Sequence, residues 1–131
     1  MLFPSWTGVR HWSINQARGV LTRIGDRMDL TLECIRRHYA RSASPMSKTL
    51  DWYADYFALF SDFDGFVSFF LLDDLLTSDR SQVQFFLPFD DFARQAAVPA
   101  SVEEYAAYMG ASMAFVTARN ARIDAWTWAT A

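Results

Sequence analysis

Apolar residues at helical spacing predict a first helix over residues 26–39. Its apolar stripe, with one residue every three or four positions, consists of Met28, Leu32, Ile35 and Tyr39. Asp26 is a residue type preferred at a helix N-cap, and Asp29 in the first turn suits the helix dipole. Glu33 lies four residues before Arg37, which is the spacing of an exposed ion pair on one helix face.

Two more helices are predicted over residues 45–60 and 66–76, and residues 13–19 predict a single helical turn. Serine followed by proline at 44–45 is typical of a helix start, with proline at the first helical position. Apolar residues cover over half the circumference of the second helix and nearly all of the third. We therefore expect both helices to be buried or to lie at an interface.

The last predicted helix runs from Ser101 to about residue 126. Ser101 and Glu104 have the spacing of a capping box at its start. Its candidate buried stripe consists of Val102, Tyr105, Met109, Met113, Val116 and Ile123. Before this helix, residues 83–87 form a short β-prone run that ends at Pro88, and we expect the run to pair with residues 2–3.

These elements predict a mainly α fold. We expect a single compact domain of about four helices over residues 1–131, with a minor two-stranded β element near residues 2–3 and 83–87. The composition agrees, because 52% apolar and 21% charged residues exclude a disordered chain. One cysteine excludes a disulfide framework and a zinc ribbon. No apolar run reaches the roughly 20 residues of a membrane helix, and a signal-peptide pattern is lacking, so a cytoplasmic location is expected.

Charge is distributed unevenly along the chain. Residues 1–50 carry a net charge of +5, residues 51–110 carry −9, and residues 111–131 carry +1. We favour internal pairing, in which the arginine-rich first third packs against the aspartate-rich middle. The other interpretation is an arginine surface for phosphate or nucleic acid. Direct nucleic-acid binding is disfavoured, because the pI of 5.2 lies far below the value of about 9 typical of such domains.

Candidate catalytic and metal-binding groups are few. Cys34 and His38 lie four residues apart, as in a reactive thiolate pair, but a lone cysteine beside an apolar stripe is usually buried and inert. Asp26, Asp29 and Glu33 form an acidic line that, with His11 or His38, could hold a hard metal ion. The favoured interpretation is that the line complements the helix dipole and forms ion pairs with Arg23, Arg27 and Arg37. Neither a phosphate-binding glycine loop nor a serine-hydrolase motif occurs. We therefore expect no catalytic residue, no cofactor and no metal.

Arginine side chains supply the alternative functional site. The candidate phosphate-binding residues are Arg18, Arg23, Arg36 and Arg37, with Asp29 or Glu33 as a metal ligand or base. The densest polar cluster of the N-terminal stretch consists of Arg10, His11, Asn15, Gln16, Arg18 and Arg23. This alternative is an enzyme, or an enzyme fragment, that acts on a phosphate-bearing or nucleic-acid substrate.

One block of the sequence resembles a known family. The block Asp-Arg-x-Asp-Leu-Thr-Leu-Glu-Cys-Ile-Arg-Arg-His-Tyr at residues 26–39 is its most specific part, and the segments 13–19, 53–60 and 69–75 also match. Over about residues 14–124 the chain is similar to a family of bacterial proteins of unknown function. The resemblance implies no catalytic role, and it implies that this chain is a short form lacking an N-terminal region.

Aromatic residues suggest a partner surface. Nine of them lie between Trp52 and Phe70, more than two short helices can easily bury. The candidate partner-binding residues are Trp52, Tyr56, Phe63, Asp73, Asp74, Asp90 and Asp91. We therefore expect a small non-enzymatic protein-binding module, an inhibitor or adaptor of the mobile-element kind that acts on a nucleic-acid enzyme. The aspartates would imitate phosphate, and a homodimer is the simplest assembly.

Overall fold

The computed structural model describes residues 13–93 and 97–130, and this part of the chain is mainly helical, as predicted. Its helices are α1 (Ile14–Val20), α2 (Met28–Tyr39), α3 (Ser47–Trp52), α4 (Ala54–Phe57), α5 (Phe63–Phe69) and α6 (Val102–Thr130). A 3-10 helix at Asp73–Leu75 lies between α5 and α6. Within the described ranges, no helix is long and apolar enough to cross a membrane.

Helix α2 passes through the centre of the core. Leu32, Cys34 and Ile35 are fully buried and pack in one cluster with residues of α1, α3, α4 and α5. The predicted N-cap is wrong by one residue, because Asp26 has a left-handed backbone (φ 61°) and Arg27 occupies the cap position. The tight turn places the amide of Asp26 against the carbonyl of Arg18, at 2.9 Å, and this bond fixes α1 beside the start of α2.

The predicted helix over residues 45–60 is divided into α3 and α4. It begins two residues late, because the Ser44 hydroxyl accepts a hydrogen bond from the amide of Met46 and holds Pro45 in a turn. It is interrupted at Tyr53, whose amide bonds to the carbonyl of Leu50, three residues back, at 3.0 Å. The interruption leaves both Leu50 and Tyr53 in the core.

The predicted helix over residues 66–76 is also shorter and begins earlier. Asp62 caps α5, because its carboxylate accepts a hydrogen bond from the amide of Gly65 at 2.7 Å. The helix ends where Leu71 adopts a left-handed backbone (φ 57°), and the amide of Leu72 then bonds to the carbonyl of Val67 at 2.9 Å. This closure is a Schellman motif with leucine at the position that glycine usually occupies.

The expected two-stranded β element is not present in the described ranges. Residues 83–87 form no strand, and their one β contact is an isolated antiparallel bridge between Leu76 and Val83. The amide of Gln84 bonds to the carbonyl of Leu75, so the run folds back on the residues just before it in a local turn. The proposed pairing partner, residues 2–3, lies outside the described residues.

Helix α6 keeps its predicted cap but buries a different face. The Ser101 hydroxyl accepts a hydrogen bond from the amide of Glu104 at 3.1 Å, which is one half of a capping box. The Glu104 carboxylate accepts the amide of Ala100 at 2.7 Å, one residue before the position that a capping box uses. The predicted buried stripe is wrong, since Ile123 alone is half-buried and the other five are exposed, with Val102 at 81% and Met113 at 61%. The helix instead meets the body through a neighbouring row that consists of Tyr108, Ala111, Phe115, Ala118 and Arg119.

Candidate functional site

Aromatic side chains of α4 and α5 form a connected cluster that extends from the core to the surface. Phe57 and Phe66 are buried, and their ring centroids lie 5.8 Å apart. Phe60 is half-buried and links Phe66 at 5.4 Å to Phe69 at 5.2 Å. Phe69 is 69% exposed, and Leu59, next to Phe60 in the chain, is 76% exposed. We call Leu59, Phe60 and Phe69 the aromatic surface.

The three aromatic residues predicted to bind a partner differ in exposure. Trp52 is half exposed at the end of α3. Tyr56 and Phe63 are half-buried, and Tyr56 contacts the ring of Phe60 at 6.0 Å. Side chains of this segment therefore divide between the core and the surface. The sequence did not single out Phe69, although its position beside Phe70 in an apolar run was the available signal.

Asp73 and Asp74 take part in an ion-pair network. Arg80 contacts Asp73 and Asp64, each at 2.6 Å, and Arg122 of α6 contacts Asp74 at 3.0 Å and Asp73 at 3.6 Å. Hydrogen bonds from Arg122 lower the pKa of the Asp74 carboxyl. Two guanidinium groups therefore offset much of the charge of these carboxylates, and the network fixes α6 to the 3-10 helix.

Charge pairing is internal, but its partners differ from the expected ones. The carboxylate of Glu33, in the first third, forms ion pairs with Arg36 at 2.7 Å and with Arg37 at 3.0 Å. Glu33 is buried, so its pair with Arg37 is not the fully exposed pair that the spacing predicted. The His38 imidazole and the Asp51 carboxylate lie 3.5 Å apart and bring the first third next to the acidic middle, in a contact that is an ion pair only when the imidazole is protonated.

Asp90 and Asp91 lie in the loop between the 3-10 helix and α6. Asp90 is exposed and Asp91 is half-buried. The Asp91 carboxylate accepts a hydrogen bond from the amide of Ala93 at 3.1 Å, a short turn that holds its side chain near the backbone. The structure thus assigns the four predicted aspartates to two regions, an ion-pair network and a surface loop.

The candidate phosphate-binding arginines are all engaged in contacts within the chain. Arg18 donates to the hydroxyl of Thr31 at 2.9 Å, and burial lowers its pKa. Arg23 donates to the carbonyl of Phe92 at 2.7 Å, and Arg37 stacks over the Phe92 ring at 4.9 Å. Arg36 donates to both carboxylate oxygens of Glu33. Residues 10 and 11 of the polar cluster lie outside the described residues.

A buried ion pair between Arg27 and Asp29 joins three parts of the chain, and Arg27 is one of the arginines expected to pair with the acidic line. The Arg27 guanidinium donates to the carboxylate of Asp29 and to the carbonyl of Ala97 at 3.1 Å. Asp29 is fully buried and also accepts the amide of Phe86 at 2.8 Å. The expected pairing of the acidic line with Arg27 is therefore confirmed at Asp29, whereas the contacts of this pair with Ala97 and Phe86 are too distant in the sequence for spacing to indicate them.

The proposed acidic line and the cysteine pair show no reactive arrangement. The carboxylate of Asp29 forms an ion pair with Arg27, and that of Glu33 forms ion pairs with Arg36 and Arg37. The described residues contain no group of three or more histidine, cysteine or acidic side chains placed to hold a metal ion. Burial raises the pKa of the Cys34 thiol to about 11, so the thiol is protonated at neutral pH.

Comparison with known proteins gives one match. A model described as a family of unknown function matches residues 1–123, which confirms the resemblance to an uncharacterised family. No curated protein and no solved structure matches the chain.

Proposed function

Since the chain belongs to DUF6994, a family of unknown function, its activity must be argued from its own residues, and we propose that it is a protein-binding module that acts through the aromatic surface. The observation that carries the proposal is the exposure of Leu59 and Phe69 at the edge of the ring cluster. Both residues adjoin Phe60, Leu59 as its neighbour in the chain and Phe69 by a ring contact at 5.2 Å. Exposed large apolar side chains around one anchored ring are typical of interaction sites. Aromatic residues are also enriched in the cores of protein interfaces.

The construction of the aromatic surface supports a binding role. Phe69 contacts Phe60 and Phe70, and Phe60 contacts the buried Phe66. The rings of Phe60 and Phe69 are therefore held in place by packing against the core. A partner would meet a preorganised surface, so these side chains would lose little conformational freedom on binding. Residues anchored in this way are the usual hot spots of an interface.

Carboxylates around the aromatic surface suggest a basic partner. Asp55 precedes it on α4, and Asp62 lies in the turn before α5; both are exposed. Asp64 follows in the first turn of α5, but it pairs with Arg80. Residues 51–110 carry a net charge of −9. Such a surface would attract a basic protein and favour its orientation. An inhibitor or adaptor of a nucleic-acid enzyme is the finer form of this proposal, because such enzymes have basic substrate grooves.

The enzyme alternative has weaker support. Arg36 and Arg37 are both directed at Glu33, and Arg18 is directed at Thr31. A phosphate would have to displace these internal partners before it could bind. The aromatic surface needs no such rearrangement.

Affinity capture from lysate of the natural host tests the proposal. The tagged full-length chain is compared with the double variant Leu59→Ser/Phe69→Ser, with and without nuclease. The matched control is Val20→Ser, which changes an exposed apolar residue on α1. We expect one stoichiometric protein that survives nuclease treatment, binds wild type and control equally, and is lost from the double variant. A partner retained by the double variant, or lost with nuclease, would contradict the proposal.

A further inference from the structure

Helix α6 presents an apolar face on the side away from the body. Tyr108, Ala111 and Phe115 contact the body, whereas Met109 and Met113 are exposed on the other side of the helix. The chain has no charged residue from position 105 to position 118, so this face has no charged side chain over four turns. A helix face of this kind is normally covered.

Gly110 lies in the middle of α6, where no contact among the described residues requires a glycine. Glycine disfavours a helix interior relative to alanine. A Cβ added at Gly110 would meet nothing within 4 Å, so the fold of one copy does not require glycine there. Glycine at such a position instead allows another backbone to approach closely.

We propose that this face, the outer face of α6, pairs with the same face of a second copy about a twofold axis near Met113. Two identical surfaces can meet only if their charges do not repel, and the uncharged stretch meets that condition in a chain of net charge −3. One face of the helix supplies both the large side chains, Met109 and Met113, and the small positions, Ala106 and Gly110, all of them exposed. Protrusions of one copy can therefore fill hollows of the other.

The dimer goes beyond the proposed function, because it uses a different surface and leaves the aromatic surface available. The uncharged part of the outer face, residues 105–118, spans 14 residues, or roughly 21 Å, and is about 10 Å wide. Its projected area is thus roughly 210 Å², well below the roughly 800 Å² per partner of a standard interface. We therefore expect a weak, concentration-dependent dimer.

Sedimentation velocity of the full chain tests the pairing, at concentrations from about 5 to about 500 µM, which bracket micromolar affinities. Wild type and the control Val20→Lys should shift from monomer to dimer across this range. Met113→Lys and Met113→Glu should each stay monomeric, because like charges would meet at the axis. An equimolar mixture of the two should dimerise again, since opposite charges then face each other.

A second variant keeps the test independent of Met113. Gly110→Lys should fold as wild type does, because the position is open, but it should lose self-association. The pairing is overturned if wild type is monomeric at every concentration, as it would be if residues 1–12 or a foreign protein covered the face. It is also overturned if Met113→Lys still dimerises, or if the lysine and glutamate variants do not associate when mixed.

Discussion

Replacing Asp29 by alanine should be the most damaging single change to the fold. Asp29 is fully buried, where it neutralises Arg27 and accepts the amide of Phe86. Its loss would leave a buried guanidinium without a counter-charge, at a cost of about 3–5 kcal/mol. For a chain of this size the melting temperature should fall by about 10–20 °C.

Urea unfolding followed by circular dichroism measures this effect, with Asp55→Ala as the control. Asp55 is exposed on α4, so its loss should change the free energy of unfolding by no more than about 0.5 kcal/mol. The double variant Arg27→Met/Asp29→Leu should recover much of the lost stability, because it removes both charges. A loss below about 1 kcal/mol for Asp29→Ala, or a double variant less stable than it, would refute the buried-pair reasoning.

Three further predictions follow from the same geometry. Cys34, buried and with a thiol pKa of about 11, should resist a thiol reagent in the native chain at pH 8 and react fully after urea unfolding. The contact with Arg122 lowers the pKa of Asp74, so its stabilisation is present above the ordinary carboxyl pKa and is lost as the pH falls through the lowered value. Asp74→Asn should therefore lower the melting temperature at pH 7, and the difference from wild type should shrink as the pH falls through the lowered pKa of Asp74. Charge reversal of Asp90 and Asp91 to lysine should weaken capture of a basic partner, and unchanged capture would exclude these residues from the interface.

Parts of the fold were predictable because several local signals agreed. The apolar stripe and the favourable end charges both indicated α2, and its observed bounds, Met28–Tyr39, lie within the predicted range. The cap at Ser101 also holds. The interruption at Tyr53 was not predictable, because the apolar pattern continues through it and only a backbone bond to Leu50 marks it.

Other features depend on contacts that are distant in the sequence. The buried face of α6 was assigned wrongly because the helix has apolar residues on both sides, and spacing alone cannot choose between the stripe of Met109 and the row of Phe115. Asp29 meets Phe86, which lies 57 positions later. The aromatic-rich segment from Trp52 to Phe70 was predictable as a candidate site. The high exposure of Phe69 was not predictable, because it depends on the residue at which α5 ends.

Hydrogen exchange of the free chain and of the chain in its captured complex tests the central claim most directly. On binding, exchange should slow in the segment around Leu59 to Phe70, whose backbone carries the aromatic surface. Exchange in α1, in α2 and in the turn between them, the stretch that carries the candidate phosphate-binding arginines, should not change. Protection around Arg18 and Arg23 with no change at Leu59 to Phe70 would contradict the account.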